Sequence, residues 1–283
     1  MPDQAQRLRQ LVQEWERRRK KRTIAITSGK GGVGKTNIAA NLALALHEQG
    51  YAVTLLDADL GLANLDVVLG ITPPYTLGQV VQRECSLIDI VHCAYGVKVV
   101  AGGSGLEELA TLPDSELLYL FHDAAQIDSD FFLIDTGAGI SPKVTSVALA
   151  AQEVVVVTTP EPTALTDAYA LIKVLTRKNA NLTLHLVVNR ASNKKEAQQV
   201  TSNFCRVAKD FLSVTVNPLG YIPEDRLLRS AVHRQQPLLL SFPSAPAAEQ
   251  LRVIAASLAG TVCPSVYGSG LRGFLGRLRS LFR

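Results

Sequence analysis

Residues 28–36 read Ser28-Gly29-Lys30-Gly31-Gly32-Val33-Gly34-Lys35-Thr36 and follow directly on the apolar run Ile24-Ala25-Ile26. Ordering a glycine costs more chain entropy than ordering any other residue. Four of them in nine positions therefore mark a backbone that must approach something too closely for a Cβ. The spacing Gly29-x4-Gly34-Lys35-Thr36, between a strand and a helix, is that of a phosphate-binding loop. In such a loop successive N–H groups curl around a phosphate and the helix N-terminus adds partial positive charge, so side chains at Gly31, Gly32 or Gly34 would block the approach. Lys35 then holds the β and γ phosphates, and the Thr36 hydroxyl ligates Mg²⁺.

Outward from the loop, short β-branched runs alternate with longer helical segments. Strands are expected over 23–27, 53–57, 97–101, 131–135, 154–158 and 184–189, with a weaker seventh over 219–222. Several are apolar almost throughout, as in strands covered on both faces, which predicts a mostly parallel sheet. Helices are expected over 35–49, 114–127, 142–151, 163–176, 194–211 and 246–259. This order predicts an α/β, doubly wound sheet with helices on both faces and ligands at the carboxyl ends of the strands. One domain over 23–260, flanked by arms 1–22 and 261–283, is the simplest parse.

The 283 residues are 47% hydrophobic and 19% charged, an ordinary globular composition. Cys85, Cys93, Cys205 and Cys263 form no CxxC pair, so neither a zinc site nor a disulfide framework is suggested. The first residues lack the basic patch and apolar core of a signal peptide, and no run approaches ~18 apolar residues, so a cytoplasmic protein without a membrane span is expected. Charge is unevenly placed. Residues 1–22 carry +5 and 270–283 carry +4, and subtracting both from the total of +4 leaves the body at −5. The basicity lies in two terminal arms.

Lys30 is not required by the general phosphate-loop pattern. Its place at the front of KGGVGKT resembles the MinD/ParA family of dimerising ATPases, and further segments resemble it too. The resemblance implies that Lys30 reaches across a homodimer to the partner's nucleotide, as an arginine finger does elsewhere. It also implies that the nucleotide-binding stretch covers Gly29, Lys30, Gly31, Gly32, Val33, Gly34, Lys35, Thr36 and Asn37. In LLDADLGLANLD, residues 55–66, Asp57 by resemblance organises the magnesium's water shell, while Asp59 orients or deprotonates the attacking water. In FFLIDTGAGIS, residues 131–141, Asp135 closes an apolar strand in the position of a Mg²⁺-binding acid, and residues 136–139 would sense the γ-phosphate. An acid at a strand end can simply cap the next helix. Three beside a phosphate loop favour metal and water chemistry. Phosphoryl transfer then rests on positioning and charge neutralisation by Lys35, Lys30 and Mg²⁺, with slow turnover until a dimer or partner completes the site.

For the base, the family places Asn189 and the later Pro223, Glu224 and Asp225 against adenine. The guanine-reading NKxD is missing, because Asn189-Arg190-Ala191-Ser192 does not supply its acid. ATP and ADP are therefore expected.

The last fourteen residues space Leu271, Phe274, Leu275, Leu278, Leu281 and Phe282 at helical intervals, with Arg272, Arg277, Arg279 and Arg283 outside the stripe. At ~100° per residue the apolar side chains fall within about 120°, the composition of an interfacial anchor on anionic lipid. A helix docked on the protein's own core is the alternative. The N-terminal arm carries Leu8, Leu11, Val12 and Trp15 on one helical face and opens with Asp3, Gln4, Ala5, Leu8 and Arg9, which resembles the activator segment of the FlhG branch of the family. That resemblance implies stimulation of an FlhF-type GTPase, with Gln4 entering the partner's active site. An amphipathic helix packing on its own body is again the alternative. The basic run 17–22 reads equally as a solvated hinge or as a contact with nucleic acid or lipid.

The resemblance spans nearly the whole chain and implies a Mg-ATP-dependent switch controlling flagellar number or placement, held peripherally at the inner face of the cell membrane, at the pole or flagellar site. Its further partners would be a flagellar switch-complex protein or a flagellar transcription activator. The alternatives are a MinD-like division-site ATPase and an adaptor that mainly binds such an activator. A DNA-partitioning role is disfavoured by the tail, and iron–sulfur transfer by the absence of a paired cysteine motif.

Overall fold

The computed structural model describes residues 21–59, 64–103 and 127–260. The expected activator segment around Asp3–Arg9, the apolar stripe Leu271–Phe282 and nearly all of the expected helix 114–127 lie outside the described residues.

The elements run β1 (Arg22–Ser28), α1 (Lys35–Glu48), β2 (Val53–Ala58), α2 (Leu65–Leu69), α3 (Leu77–Val81), β3 (His92–Ala94), β4 (Val97–Val100), β5 (Phe131–Ala138) and α4 (Pro142–Ala150). They continue with β6 (Glu153–Thr158), α5 (Pro162–Lys178), β7 (Thr183–Ala191), α6 (Lys194–Leu212), β8 (Val216–Pro223), α7 (Arg226–His233), α8 (Leu238–Ser241) and α9 (Pro246–Gly260). All seven expected strands form. The sheet order is β3-β4-β2-β5-β1-β6-β7-β8, parallel throughout except for the β3–β4 hairpin at one edge. The order reverses about β1: the chain builds one way through β2 and β4, then returns beside β1 and grows the other way from β6. That reversal is where an open α/β sheet parts its connecting loops and leaves a crevice.

Side-chain alternation explains why the strands are apolar on both faces. Ile24, Ile26, Leu133, Val155 and Val187 enter the core shared with α1 and α9, while Ala25, Ile134, Val154, Val156 and Leu186 enter the core beneath α4, α5 and α6. The side chains of the central strands are buried in both cores, and each face buries several worth ~1.5–3 kcal/mol apiece.

Expected and observed elements differ mainly at one edge. β8 begins at Val216, three residues before the expected start, and carries Pro218. A proline is tolerated there because β8 is an edge strand and its register with β7 shifts between Leu186 and Val187. The short helices α2, α3, α7 and α8 had no sequence expectation, since one or two turns are too brief for the 3.6-residue period to register. Arg22 opens β1, and Lys21 precedes it with its ammonium donating to the Ile127 carbonyl, so two of the six basic residues belong to the fold.

Candidate functional site

The loop after β1 turns on glycine backbone. Gly34 caps α1 at φ +93°, and no side chain caps the helix, so the first-turn N–H groups face outward. An added Cβ at Gly34 would lie 2.5 Å from Nδ2 of Asn189, which donates to the Val33 carbonyl at 2.7 Å. This glycine is demanded by the protein's own packing. Gly31 is different: a Cβ there would meet no heavy atom within 4 Å. The protein leaves that cradle open, and the same is true at Gly32.

Lys35, Thr36, Asp59, Thr136, Gly137 and Ala138 line a cleft of about 680 Å³ with the loop glycines as its floor. Asp57 and Asp135 are register partners on β2 and β5, both buried behind the cleft. Lys35 Nζ donates to Asp135 Oδ1 at 2.7 Å, with the side chains only 7% and 1% exposed. Asp57 accepts from the backbone N–H groups of Asp59 at 3.0 Å and Leu65 at 3.2 Å. Burial, reinforced by the charge of Asp135, pushes the Asp57 carboxyl up to about 7. Burial raises Asp135 as well, against the opposing pull of Lys35. Two buried carboxylates thus lie near one buried ammonium that bonds only Asp135, and among the described residues Asp135 Oδ2 has no hydrogen-bond partner. A hard divalent cation suits this all-oxygen set with the Thr36 hydroxyl, and the open cradle at Gly31 suits a phosphate. Asp59 is separate from the buried pair: it lines the cleft, and its Oδ1 lies 3.5 Å from where a Cβ on Gly137 would be. The strand expected over 131–135 runs on to Ala138, so 136–138 are the end of β5 rather than a loop, and the Gly139 N–H donates to the Ser28 carbonyl at 2.8 Å, fixing that strand end to the phosphate loop.

Lys30 lies apart from this group. Its ammonium donates to Glu161 Oε2 at 3.0 Å and Thr163 Oγ1 at 2.9 Å, at the start of α5, and it is 38% exposed. The four residues expected at the base do come together. Asn189, Pro223, Glu224 and Asp225 line a second cleft of about 310 Å³ that shares Gly34, Asn37 and Arg190 with the first. Their side chains are already engaged. Asn189 holds the phosphate loop, Glu224 pairs with Arg229 at 2.8 Å, and Asp225 caps α7 through the Leu227 N–H at 2.8 Å. Base contacts from this wall would thus come from the Pro223 ring, the backbone and the apolar α7 face.

Several lining residues were not singled out from sequence. Leu228, Val232 and His233 come from α7, whose shortness hid it. Ser141 and Lys143 stand across the cleft at the start of α4, where Ser141 Oγ accepts from Val144 N. Arg190 lines both clefts with φ +57°, a left-handed conformation that costs a non-glycine residue on the order of 1 kcal/mol. The sequence signal available was its place directly after Asn189, the expected end of a strand that in the structure runs on to Ala191. Its backbone N–H donates to Asn189 Oδ1 at 2.9 Å, which holds the turn.

The chain is similar to known proteins. A family model described as ParA, NUBPL iron-transfer P-loop NTPase, matches residues 19–259. The chain is 39% identical over 259 residues to Antiactivator FleN of Pseudomonas aeruginosa, covering 90% of this chain and 92% of that protein. It is 36% identical over 262 residues to the flagellum site-determining protein YlxH of Helicobacter pylori, covering 90% and 88%. Among solved structures it is similar to the septum site-determining protein MinD of Pyrococcus horikoshii complexed with Mg-ADP, with a TM-score of 0.73, 30% identity, and coverage of 85% of this chain and 98% of that one.

Proposed function

Because the chain belongs to the MinD/ParA family of P-loop NTPases, with FleN- and YlxH-type proteins among its relatives, we propose that it is a Mg-ATP-dependent dimerising switch controlling flagellar number or placement. The observation that carries this reading is the single cleft that unites the open glycine cradle, Lys35, Thr36 and Asp59 over the buried pair Asp57–Asp135.

In this reading ATP lies with its phosphates on the N–H groups of 31–36 and its adenine in the cleft walled by Pro223 and α7. Lys35 exchanges Asp135 for the β and γ phosphates. Thr36, Asp57 and Asp135 would hold Mg²⁺, directly or through water, and the ion would supply positive charge to offset that of the phosphates. Asp59, the acid free of the buried pair, orients the attacking water. Lys30 trades Glu161 and Thr163 for the nucleotide of a second copy, which makes turnover slow in the monomer and faster in the dimer. ATP-driven dimerisation would bring the apolar stripe 271–282 to an anionic membrane, and residues 3–9 to an FlhF-type GTPase. A flagellar switch-complex protein or transcription activator would bind the dimer.

The chemistry is tested by ATP hydrolysis in Lys35→Ala and Asp59→Ala. Wild-type turnover in either variant removes that residue from the mechanism. Flagella counted on cells lacking the gene test the biology: a normal number overturns the flagellar reading and leaves the switch. GTP hydrolysis by an FlhF-type protein, measured with the full chain and with residues 1–22 removed, separates the two nearest readings. No stimulation favours a MinD-like division-site role, for which the similarity to the Mg-ADP-bound MinD structure is the supporting observation.

A further inference from the structure

The first cleft has two ends, and the order of the sheet tells them apart. The phosphate loop leaves β1, with β6, β7 and β8 on one side of it and β5, β2 and β4 on the other. The base cleft belongs to the β7–β8 side: Asn189 comes from β7 and Pro223 from β8, and Gly34, Asn37 and Arg190 are shared with the first cleft. The opposite end is built from the strand ends of β2 and β5 and from α4, through Asp59, Gly137, Ala138, Lys143 and Val144. A triphosphate whose base occupies the second cleft therefore crosses the loop with its terminal phosphoryl group toward β5, β2 and α4.

Among the described residues, three cationic side chains line the first cleft, and they are spread along that path. Arg190 stands at the base end, since it lines the second cleft too. Lys35 opens α1 in the middle and donates to Asp135 at 2.7 Å. Lys143 is at the far end. It shares one face of α4 with Val144 and Val147, all turned to the cleft, and it is half-buried although Ser141 and Pro142 just before it are exposed. A Cβ added to Gly137 would lie 3.1 Å from Val144 Cγ2 and 3.5 Å from Asp59 Oδ1, so the residue beside Lys143 and the acid assigned to the attacking water flank one glycine. Lys30 is outside this lining, held by Glu161 and Thr163.

We propose that Lys143 contacts the γ-phosphoryl group of ATP bound to its own subunit and so gives the single chain a preference for ATP over ADP. The proposal rests on the reading of this cleft as an ATP site and adds a residue to it. The γ-phosphoryl group brings negative charge to the end of the cleft farthest from Arg190 and beside the Asp59 carboxylate, which repels it. A lysine there offsets both. Its ammonium is a compact charge with three donors on a flexible stem, which can follow phosphate oxygens that move during transfer. ADP ends one phosphoryl group short, so the contact is made only with ATP. In the monomer, where Lys30 rests on Glu161, Lys143 is thus the cation that registers the γ-phosphoryl group before a second copy arrives. In sequence Lys143 is only an early residue of an expected helix, 108 positions from Lys35; pairing of β5 beside β1 brings it over the loop.

The test is titration calorimetry of the full chain with Mg-ADP and with the Mg complex of the non-hydrolysable β,γ-imido analogue of ATP, at concentrations where light scattering shows a monomer. Wild type, Lys143→Gln and Lys35→Ala are compared. The expected result for Lys143→Gln is a loss of at least about fivefold in affinity for the ATP analogue, with Mg-ADP affinity within about twofold of wild type. The nucleotide-free thermal midpoint should stay within about 3 °C of wild type, as for a partly exposed side chain. Lys35→Ala loses both nucleotides. A Lys143→Gln variant that binds the analogue as wild type does overturns the proposal and leaves the ATP site standing. Equal weakening toward both nucleotides overturns it as well, because the contact then does not read the γ-phosphoryl group. Unchanged affinities with slower ATP hydrolysis assign Lys143 to the positioning of Asp59 and overturn the phosphate contact. Wild type that binds neither nucleotide overturns the ATP reading of the cleft itself.

Discussion

Two neighbouring glycines of the phosphate loop should fail in different ways. Replacing Gly34 by alanine puts a Cβ at φ +93° and 2.5 Å from Asn189 Nδ2. The backbone conformation costs ~1–2 kcal/mol, and displacing Asn189 from the buried Val33 carbonyl costs ~1–3 kcal/mol more. A total near ~3 kcal/mol lowers the thermal midpoint of a domain this size by about 10 °C. Gly31→Ala meets no protein atom and has ordinary φ, so its stability should match wild type within ~0.5 kcal/mol. Both should lose Mg-ADP. For Gly31→Ala the loss is at least about tenfold, the equivalent of one charge-assisted hydrogen bond between backbone and phosphate. Calorimetric unfolding without nucleotide and titration with Mg-ADP read the two effects separately. If Gly31→Ala binds Mg-ADP as wild type does, the open cradle is not the phosphate seat. If Gly34→Ala melts with wild type, the contact with Asn189 is not what excludes a side chain.

Arg22→Met leaves Glu153 buried with only His185 as partner, which should cost ~3–5 kcal/mol, readable by urea unfolding. Burial raises the Glu153 carboxyl, but the hydrogen bonds from His185 and Arg22 outweigh it and hold the carboxyl below the ordinary 4.5. Its stabilisation is thus present above pH 4.5 and lost as pH falls through the folded value, so the gap between wild type and Arg22→Met should narrow in acid. Arg190→Gly relieves the left-handed strain but adds chain entropy to the unfolded state, and should melt within about 3 °C of wild type while Mg-ATP affinity falls severalfold by titration. Asp225→Ala removes the α7 cap and the contact to Ala247 N, an expected loss of ~1–2 kcal/mol in thermal unfolding, with weaker adenine binding because α7 walls that cleft.

The readable parts of the site were those carried by contiguous chain. A phosphate loop is a conformation of consecutive backbone, so its glycines and Lys35 announce it wherever they stand between strand and helix. Asp57 and Asp135 were legible because an apolar run ending in an acid marks the carboxyl end of a buried strand. The same logic found Asn189 but not what its amide does, since Val33 lies 156 residues away.

The sequence by itself determined the parallel sheet, the phosphate loop at its crevice and the family, because side-chain period and local backbone preference act over a few residues. Only the tertiary structure decided that Arg22, Glu153, His185 and Leu258 meet at one corner, that Lys30 rests on Glu161, and that two acids face each other across β2 and β5. Those meetings depend on strand register and on the order in which strands pair. Register is set by burying both faces of the whole sheet at once, a condition that no short stretch of chain contains.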